Sequence, residues 1–450
     1  MAGRLTATGI LLVGGASERF GSAKALAPFR GETLGERGWR VLNEAFEEVF
    51  AVGKEAALDL PFPVLDDGVE ERAPIFGLLA GLRAASNDVC CVLPVDCPLV
   101  APELLHTFVE ARAVPQTGPL PGAYPIELLP ALEERVARGE LSLRGVNPNV
   151  LEVDERLLLN VNTRMDLMQA AIADWARARD DVRAVLVVGS QVRAEAPADR
   201  WSDLDVVLFV DDPGRLAEDD SWVAEFGTPV LTFLEATGFG ARVERRVLYE
   251  TGEDVDFPML AASEWRELAA TPEARLLLAR GHRVLHDELE MGAELEKVIA
   301  PPPPALPDDA AFRELASDFW YHALWTARKL RRGEVFTALD CLDGYLKARL
   351  VTLLEWHARA VDPNVDTWHG GRFLERWADP GALAALELAY AHYDVRDVAR
   401  ALWATIDLWQ AVEEETARRL GMEVGLDHAD LRRRVAEVVP QPAAGHRLSP

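Results

Sequence analysis

The sequence predicts a multidomain α/β protein, made of a doubly wound sheet, a second mixed α/β unit and a final bundle of helices. Three observations lead to this fold class. The chain has 450 residues, more than one hydrophobic core usually serves. Strand-like and helix-like segments alternate before the proline run at 301–304, and only helical segments are predicted after it. Such a run cannot form a helix interior and is typical of a stiff linker.

The first part of the chain has the pattern of a Rossmann-like, doubly wound sheet. Strands are predicted at 8–13, 49–52 and 89–95, and helices at 34–46 and 77–85. This alternation indicates a parallel sheet with helices on both faces. We expect it to fill a first domain over residues 1–168.

Two further regions follow. Residues 169–300 are predicted to form a mixed α/β unit, with a helix at 167–179 and strands at 184–188, 205–210, 243–248 and 254–259. Helices are then predicted at 312–330, 335–358, 383–393 and 395–420. We expect these helices to form a bundle over residues 310–425, followed by a tail at 426–450.

The composition argues against several classes of function. The formal net charge is −27, whereas a domain that binds nucleic acid normally shows a basic face. The apolar segments are too short to span a bilayer, and the N-terminus lacks a signal-peptide cleavage site. Four cysteines form no CxxC pair and are interpreted as reduced thiols. We therefore expect a cytoplasmic protein without nucleic-acid or membrane partners, whose acidic surface either attracts a cationic acceptor or serves solubility.

A glycine-rich loop follows the first predicted strand. In LVGGASERFGSAKAL, Gly14 and Gly15 let backbone N–H groups approach phosphate oxygens, because neither residue has a side chain. Arg19 and Lys24 add positive charge for a leaving pyrophosphate. Asp96, in LPVDCP, ends a predicted strand where open α/β sheets bind ligands, and its carboxylate can hold Mg²⁺. An ordinary tight turn and a helix-capping aspartate are the alternatives.

These segments resemble the molybdenum cofactor guanylyltransferase family of MobA-like nucleotidyltransferases. The matching segments are LVGGASERFGSAKAL, PVLDD (63–67), GLLAGL (77–82), LPVDCP, PLPGAYPIELLPAL (119–132) and NVNTRMDL (160–167). The resemblance implies nucleotide-binding residues Leu12, Val13, Gly14, Gly15 and Lys24, with Asp67 beside the guanosine. It also implies an Mg²⁺ site at Asp96, completed by Asn160 or Asn162. The implied reaction transfers GMP from GTP, or another NMP from its triphosphate, to molybdopterin.

A second group of acidic residues lies in SDLDVVLFV. Asp203 and Asp205 alternate along a predicted strand and therefore point to one face. Two unpaired carboxylates about 4 Å apart repel by about 4 kcal/mol at an effective dielectric constant of about 20, which favours a bound cation. Asp256, in DVDF, has strand spacing that lets it join them, and Gly189 and Ser190 offer donors to phosphates. A solvent-facing acidic strand is the alternative.

This pattern is similar to the streptomycin (aminoglycoside 6-) adenylyltransferase family, within the DNA polymerase beta-like nucleotidyltransferase superfamily. The matching segments are WSDLDVVLFVDDP (201–213), WVAEFG (222–227), LYETGEDVDF (248–257), FWYHAL (319–324), ARKLRRGE (327–334), LLEW (353–356) and HGGRFL (369–374). The resemblance implies that Asp203, Asp205 and Asp256 are metal ligands and that the helical domain closes the acceptor cleft.

Four residues of the helical region are candidates for the same reaction. Lys329, Arg332 and Lys347 lie on amphipathic helices and can hold the triphosphate, or they are surface residues whose stems cover apolar groups. Glu355, beside Trp356, is a general base, a ligand for an amino group, or a surface acid.

The leading hypothesis is a bifunctional, Mg²⁺-dependent nucleotidyltransferase. Its first domain is expected to transfer NMP, with GMP and molybdopterin as the expected pair. Its second is expected to transfer AMP from ATP to a hydroxyl of a small, cationic acceptor such as an aminoglycoside. Two alternatives stay open: only one site turns over, or one domain is a non-catalytic nucleotide sensor that regulates the other.

Overall fold

The structure is a computed structural model that describes residues 3–14, 23–54, 58–237, 243–300, 305–368 and 370–439. It divides into two compact units, Met1–Pro301 and Pro302–Pro450. The predicted site residues Gly15 and Arg19 and the proline run lie outside the described residues. Within the described ranges, no helix combines the length and the apolar character needed to cross a membrane.

The first part of unit 1 is an α/β fold. Its strands are β1 (Leu5–Leu12), β2 (Pro28–Phe29), β3 (Glu32–Thr33), β4 (Phe46–Gly53), β5 (Val64–Asp66), β6 (Val89–Pro94), β7 (Val114–Pro115), β8 (Gly122–Pro125) and β9 (Val150–Leu151). Its helices are α1 (Leu34–Ala45), α2 (Pro74–Ala84), α3 (Pro102–Ala111) and α4 (Leu129–Ala137). The main sheet has the order β5-β4-β1-β6-β8. The strands β5, β4, β1 and β6 are parallel, and β8 is antiparallel to β6.

The sheet is therefore mixed, not wholly parallel as the alternation predicts. The antiparallel edge strand β8 is the short segment GAYP, whose glycine and proline give no strand signal. Side chains of β1 alternate between two cores, as expected for a central strand. Ile10 and Leu12 pack with residues of α2 and α4, whereas Leu11 packs with residues of α1 and α3. Helices thus cover both faces of the sheet.

The second part of unit 1 contains a six-stranded sheet. Its elements in chain order are α5 (Arg164–Arg177), β10 (Val182–Val188), β11 (Leu204–Val210), α6 (Pro213–Glu218), β12 (Pro229–Ala236), β13 (Val243–Tyr249), β14 (Asp254–Ala261), α7 (Trp265–Ala269), α8 (Pro272–Ala279), β15 (Arg283–Asp287) and α9 (Gly292–Leu295). The strand order is β12-β13-β14-β11-β10-β15. The central pair, β11 and β14, is parallel, and the other neighbours are antiparallel.

Helix α5 joins these two parts. The predicted domain boundary between residues 168 and 169 falls inside this helix, which begins with a capping box made by Thr163 and Asp166. One continuous hydrophobic cluster contains Leu11 of the first sheet, Ile172 of α5 and Leu208 of the second sheet. The two predicted α/β domains consequently share a core and form one compact unit.

In unit 2, the regular structure of the described residues, 305–368 and 370–439, is helical. Its helices are α10 (Asp309–Arg331), α11 (Val335–Asp340), a π-helical turn at Cys341–Leu346, α12 (Lys347–Val361), α13 (Leu374–Trp377), α14 (Pro380–Ala389), α15 (Val395–Leu420) and α16 (His428–Val438). The core is aromatic: Phe319 of α10 stacks on Trp409 of α15 with ring centroids 3.9 Å apart. The segment expected to be a tail instead begins with α16, whose Val435 is buried in this core. Its single apolar stripe among six charged or polar residues hid the helix in the sequence.

Unit 2 buries an acidic side chain, Glu413, completely. Neither carboxylate oxygen has a hydrogen-bond partner of good geometry, although His428 Nε2 lies 3.1 Å from Oε2. Burial raises the pKa of Glu413 from 4.5 to about 7, against the opposing effect of the Trp409 indole. The folded state therefore favours the protonated carboxyl. Its stabilising contribution is complete below pH 4.5 and is lost as the pH rises through about 7.

We expect Glu413→Gln to stabilise the helical unit at pH 8, by roughly 1–3 kcal/mol, because a neutral amide avoids burying a charge. At pH 4.5 the variant and the wild type should differ little, since both side chains are then neutral. Scanning calorimetry at the two pH values measures the difference. Glu414→Gln is the matched control, because the neighbouring Glu414 side chain is 60% exposed. A melting-temperature shift that is equal at both pH values would contradict the raised pKa assigned to Glu413.

Candidate active sites

The first candidate site is a cleft of about 500 Å³ at the carboxyl ends of β1, β4 and β6. Ligands of open α/β sheets bind at such strand ends. The predicted residues that line the cleft are Leu12, Val13, Gly14, Lys24, Asp67 and Asp96. Of the sequence-predicted residues of this site, Gly15 and Arg19 lie outside the described ranges.

Lys24 links Asp96, which lines this cleft, to Asn162, another residue predicted for the metal site. Its Nζ lies 3.2 Å from Asp96 Oδ2 and donates to Asn162 Oδ1 at 2.9 Å. The backbone explains why residues so distant in sequence meet: Val161 N donates to the Asp96 carbonyl oxygen at 2.7 Å. Asn160 points elsewhere, with its Nδ2 3.9 Å from Cys97 Sγ. The structure therefore brings Asn162, rather than Asn160, to the Lys24 and Asp96 pair.

The oxygen donors of this cleft suit a cation that also binds phosphate. Mg²⁺ is usually held by one or two carboxylates together with substrate phosphates. Asp96 supplies one carboxylate and Asn162 one amide oxygen, with the Lys24 ammonium between them. Such a set is too small to hold a metal alone, and it fits a metal that arrives with a nucleotide.

Lys54 is a cleft residue that the sequence analysis missed. It follows β4 directly and its Nζ contacts Asp67 Oδ1 and the Val69 carbonyl oxygen. The Asp67 carboxylate also accepts from Val69 N at 3.1 Å. Asp67 therefore enters the cleft as an ion pair, not as a free acid. The signal in the sequence by which Lys54 could have been found is its position just after a predicted strand, where ligands of such sheets bind.

The second candidate site is a cluster of three carboxylates on the six-stranded sheet. Asp203 precedes β11, Asp205 lies within it, and Asp256 lies opposite Asp205 on the parallel strand β14. One carboxylate oxygen of each residue lies within 4.8 Å of the others. Asp256 is buried, and Asp203 and Asp205 are half-buried. The structure thus brings together the three residues that the spacing singled out.

The environment of Asp256 suits a cation. Its Oδ1 is buried without a hydrogen-bond partner, and Arg246 Nη2 lies 3.4 Å from its Oδ2. Burial raises the pKa of Asp256 to about 6, while Arg246 opposes the shift and the neighbouring Glu244, Asp254 and Asp203 add to it. Three converging carboxylates, one with an unpartnered oxygen, form a donor set that divalent metals such as Mg²⁺ prefer.

The turn after β10 packs directly against these acids. Gly189 has φ +72°, and a Cβ built on it would lie 2.0 Å from Asp205 Oδ2. Ser190 is buried, and its hydroxyl donates to the Asp203 carbonyl oxygen at 3.4 Å. Gln191 Nε2 donates to the same oxygen at 3.1 Å. The turn therefore fixes the backbone that carries Asp203 and leaves Asp205 room only because residue 189 is glycine.

The basic candidates of unit 2 all have partners. Lys347 is buried, and its Nζ donates to Thr405 Oγ1 at 2.9 Å and to the Leu342 carbonyl oxygen at 3.3 Å. Burial lowers the pKa of Lys347 to about 8. The other two share one acid: Lys329 Nζ lies 2.7 Å from Glu334 Oε2, and Arg332 Nε lies 2.9 Å from its Oε1.

Glu355, the candidate general base, is half-buried on α12. Burial raises the pKa of its carboxyl, and Arg359 opposes the shift. These features fit Glu355 both as a general base and as a ligand for an amino group, so its role stays a prediction.

A strand-end cleft with a lysine and a separate three-carboxylate cluster are both arrangements for handling a nucleoside triphosphate. They place the chain in the class of nucleotidyltransferases. The chain belongs to the streptomycin adenylyltransferase family, whose model matches residues 163–436, and it carries a MobA-like NTP transferase domain at residues 9–146.

Individual relatives match one half each. A probable molybdenum cofactor guanylyltransferase of Aquifex aeolicus (strain VF5) is 36% identical over 173 residues, covering 35% of this chain and 86% of that protein. An aminoglycoside 6-adenylyltransferase of Bacillus subtilis (strain 168) is 22% identical over 202 residues, covering 42% of this chain and 67% of that protein. The crystal structure of an aminoglycoside 6-adenyltransferase from Bacillus subtilis is 16% identical and covers 61% of this chain and 98% of its own, with a TM-score of 0.31.

Proposed function

We propose that the chain is a bifunctional, Mg²⁺-dependent nucleotidyltransferase with one site in each part of unit 1. The observation that carries the proposal is the presence, in one compact unit, of two separate acid-containing sites with different residues: the Lys24 and Asp96 cleft, and the Asp203, Asp205 and Asp256 cluster. A protein that only sensed a nucleotide would have no need of a complete carboxylate cluster.

The first site is proposed to transfer GMP from GTP to molybdopterin. Its relatives named molybdenum cofactor guanylyltransferase support this reaction. Asp96 and Asn162 would hold Mg²⁺, which supplies charge neutralisation at the phosphates when bound. Lys24, which contacts both of these oxygens, would supply a positive charge to the triphosphate. The Lys54 and Asp67 pair presents both donors and acceptors to the rest of the nucleotide.

The second site is proposed to transfer AMP from ATP to a hydroxyl of a small, cationic acceptor, with a polymerase beta-like fold around it. The names streptomycin adenylyltransferase and aminoglycoside 6-adenylyltransferase support an aminoglycoside acceptor. Asp203, Asp205 and Asp256 would hold Mg²⁺, and the bound ion would supply activation of the hydroxyl and charge neutralisation for the leaving pyrophosphate. The net charge of −27 favours the approach of a cation. Four buried free cysteines support a cytoplasmic location.

The experiment is a transfer assay on the full-length protein with Mg²⁺. GTP and ATP are offered separately, with molybdopterin and an aminoglycoside pool as acceptors. Pyrophosphate release is measured first, and the acceptors are then analysed by mass spectrometry. We expect a guanylylated molybdopterin with GTP and an adenylylated aminoglycoside with ATP, and neither product in EDTA. Binding of nucleotides without pyrophosphate release from GTP or ATP in the presence of any acceptor would instead favour a sensor.

A further inference from the structure

Helix α5 contributes an acidic residue, Asp174, that contacts the first α/β fold. Asp174 Oδ1 lies 2.6 Å from Arg37 Nη2, and Arg37 comes from α1. Both side chains are mostly shielded, with 25% of Asp174 and 16% of Arg37 exposed. Hydrogen bonds between charged groups are stronger than neutral ones, and partial burial reduces their screening. The pair therefore fixes the guanidinium of Arg37 in one orientation.

That orientation brings Arg37 to the turn that carries Asp96. Arg37 Nε donates to the Pro98 carbonyl oxygen at 2.6 Å. Pro98 lies two residues after Asp96, in the turn after β6, where Cys97 N donates to the Pro94 carbonyl oxygen at 3.2 Å. Nη2 of the guanidinium thus binds Asp174, and Nε binds the Asp96 turn.

Arg37 has a second acidic partner, because its Nη1 donates to Glu32 Oε1 at 3.4 Å. If Asp174 lost its charge, Glu32 would be the carboxylate that remains beside Arg37. A rotation of the guanidinium toward Glu32 would weaken the bond from Nε to Pro98. Arg30 Nε also lies 3.5 Å from Asp174 Oδ2, and its Nη2 lies 3.4 Å from Glu225 Oε2. Asp174 is accordingly the shared acid between two arginines.

We propose that Asp174 is a positioning residue of the first site, acting through Arg37 on the turn that carries Asp96. This inference rests on the proposed function of Asp96. Asp174 lies within residues 163–436, which match the streptomycin adenylyltransferase family. The adenylyltransferase-like half thereby shapes the metal-binding turn of the other half. Trp175, the residue after Asp174, packs on Trp222 with ring centroids 5.4 Å apart. Trp222 in turn packs on Phe257, which is next to Asp256.

The test measures how much Mg²⁺ tightens nucleotide binding at the first site. Full-length protein with Asp203→Asn and Asp205→Asn, which disable the second metal cluster, is titrated with mant-GTP or mant-CTP, whichever binds more tightly, in Mg²⁺ and in EDTA. We expect Asp174→Asn and Arg37→Lys to reduce the Mg²⁺-dependent gain in affinity by about 10-fold, the effect typical of residues behind a metal ligand. Affinity in EDTA should stay the same, and Asp174→Glu should recover most of the gain.

Two further variants separate the possible failures. Glu225→Gln, at the exposed end of the same network, should keep the full gain, and Asp96→Asn should lose all of it. If Asp96→Asn keeps the gain, the proposed function of Asp96 is wrong. If Asp96→Asn loses the gain while Asp174→Asn keeps it, the proposal for Asp174 is overturned. A parallel loss of affinity in Mg²⁺ and EDTA, with a lower melting temperature, would also overturn it, because that result indicates a structural role alone.

Discussion

Replacing Asp203 and Asp205 together by asparagine is expected to reduce AMP transfer by at least about 1,000-fold, which corresponds to about 4 kcal/mol of transition-state stabilisation. Asparagine keeps the size of each side chain and removes both negative charges. The buried Asp256 carboxylate then remains as the single charged ligand of the cluster. One carboxylate on a rigid strand neutralises too little of a divalent charge to hold the ion without strong help from the nucleotide.

The measurement is the rate of ATP-dependent pyrophosphate release with the acceptor found by mass spectrometry. Asp254→Asn is the matched control, because Asp254 is an exposed acid two residues before Asp256 on the same strand and lies outside the three-residue cluster. Guanylyl transfer by the same protein is an internal control for folding. Loss of both transfer activities in the double variant would contradict two independent sites.

Much of the fold follows from local patterns in the sequence. The predicted strand at 89–95 corresponds to β6 (Val89–Pro94), and the predicted helix at 395–420 corresponds to α15 (Val395–Leu420). Helix α15 is long enough for its helical period to be clear, whereas β6 is a short continuous apolar run, the pattern of a strand buried on both faces. The edge strand β12 was not predicted, because four of its apolar side chains are exposed and no alternation marks a buried face. The segment forms strand β12 because it pairs with the neighbouring strand β13.

The candidate sites were predictable where one strand carries the chemistry. Asp203 and Asp205 are two residues apart, so a period of two places them on one face. Their meeting with Asp256 depends on the parallel pairing of β11 and β14, which spacing along the chain does not specify. Lys54 and Asp67 are 13 residues apart and meet because β4 and β5 are neighbours. The pairing between strands, which brings these residues together, is therefore the feature of the candidate sites that local sequence patterns did not predict.

Burial is the second property that local patterns left out. Lys347 was a candidate for the triphosphate because it lies on an amphipathic helix. In the structure it is 5% exposed and donates to Thr405 of α15. A lysine with such partners is detectable only when the neighbouring helix is known, because its sequence neighbours are those of an ordinary helix surface.

Gly189→Ala is expected to reduce AMP transfer by at least about 100-fold, which corresponds to about 3 kcal/mol. Two effects combine at this position. The new Cβ would lie 2.0 Å from Asp205 Oδ2, so the carboxylate must leave the cluster. The backbone at φ +72° also disfavours any residue with a side chain, by roughly 1–2 kcal/mol. The first effect removes a metal ligand and the second loosens the turn that holds Asp203.

Gly252→Ala separates these two effects. Gly252 has φ +94° in the turn before β14, and no atom lies within 4 Å of the position its Cβ would take. This variant is expected to lose about 1 kcal/mol of stability and to keep its AMP transfer, since it adds backbone strain without a clash. The comparison uses the rate of adenylyl transfer and the melting temperature of both variants. An equal loss of transfer in the two variants would mean that backbone strain, and not the displacement of Asp205, accounts for the effect of Gly189→Ala. The role assigned to the close approach of Asp205 to the turn would then be wrong.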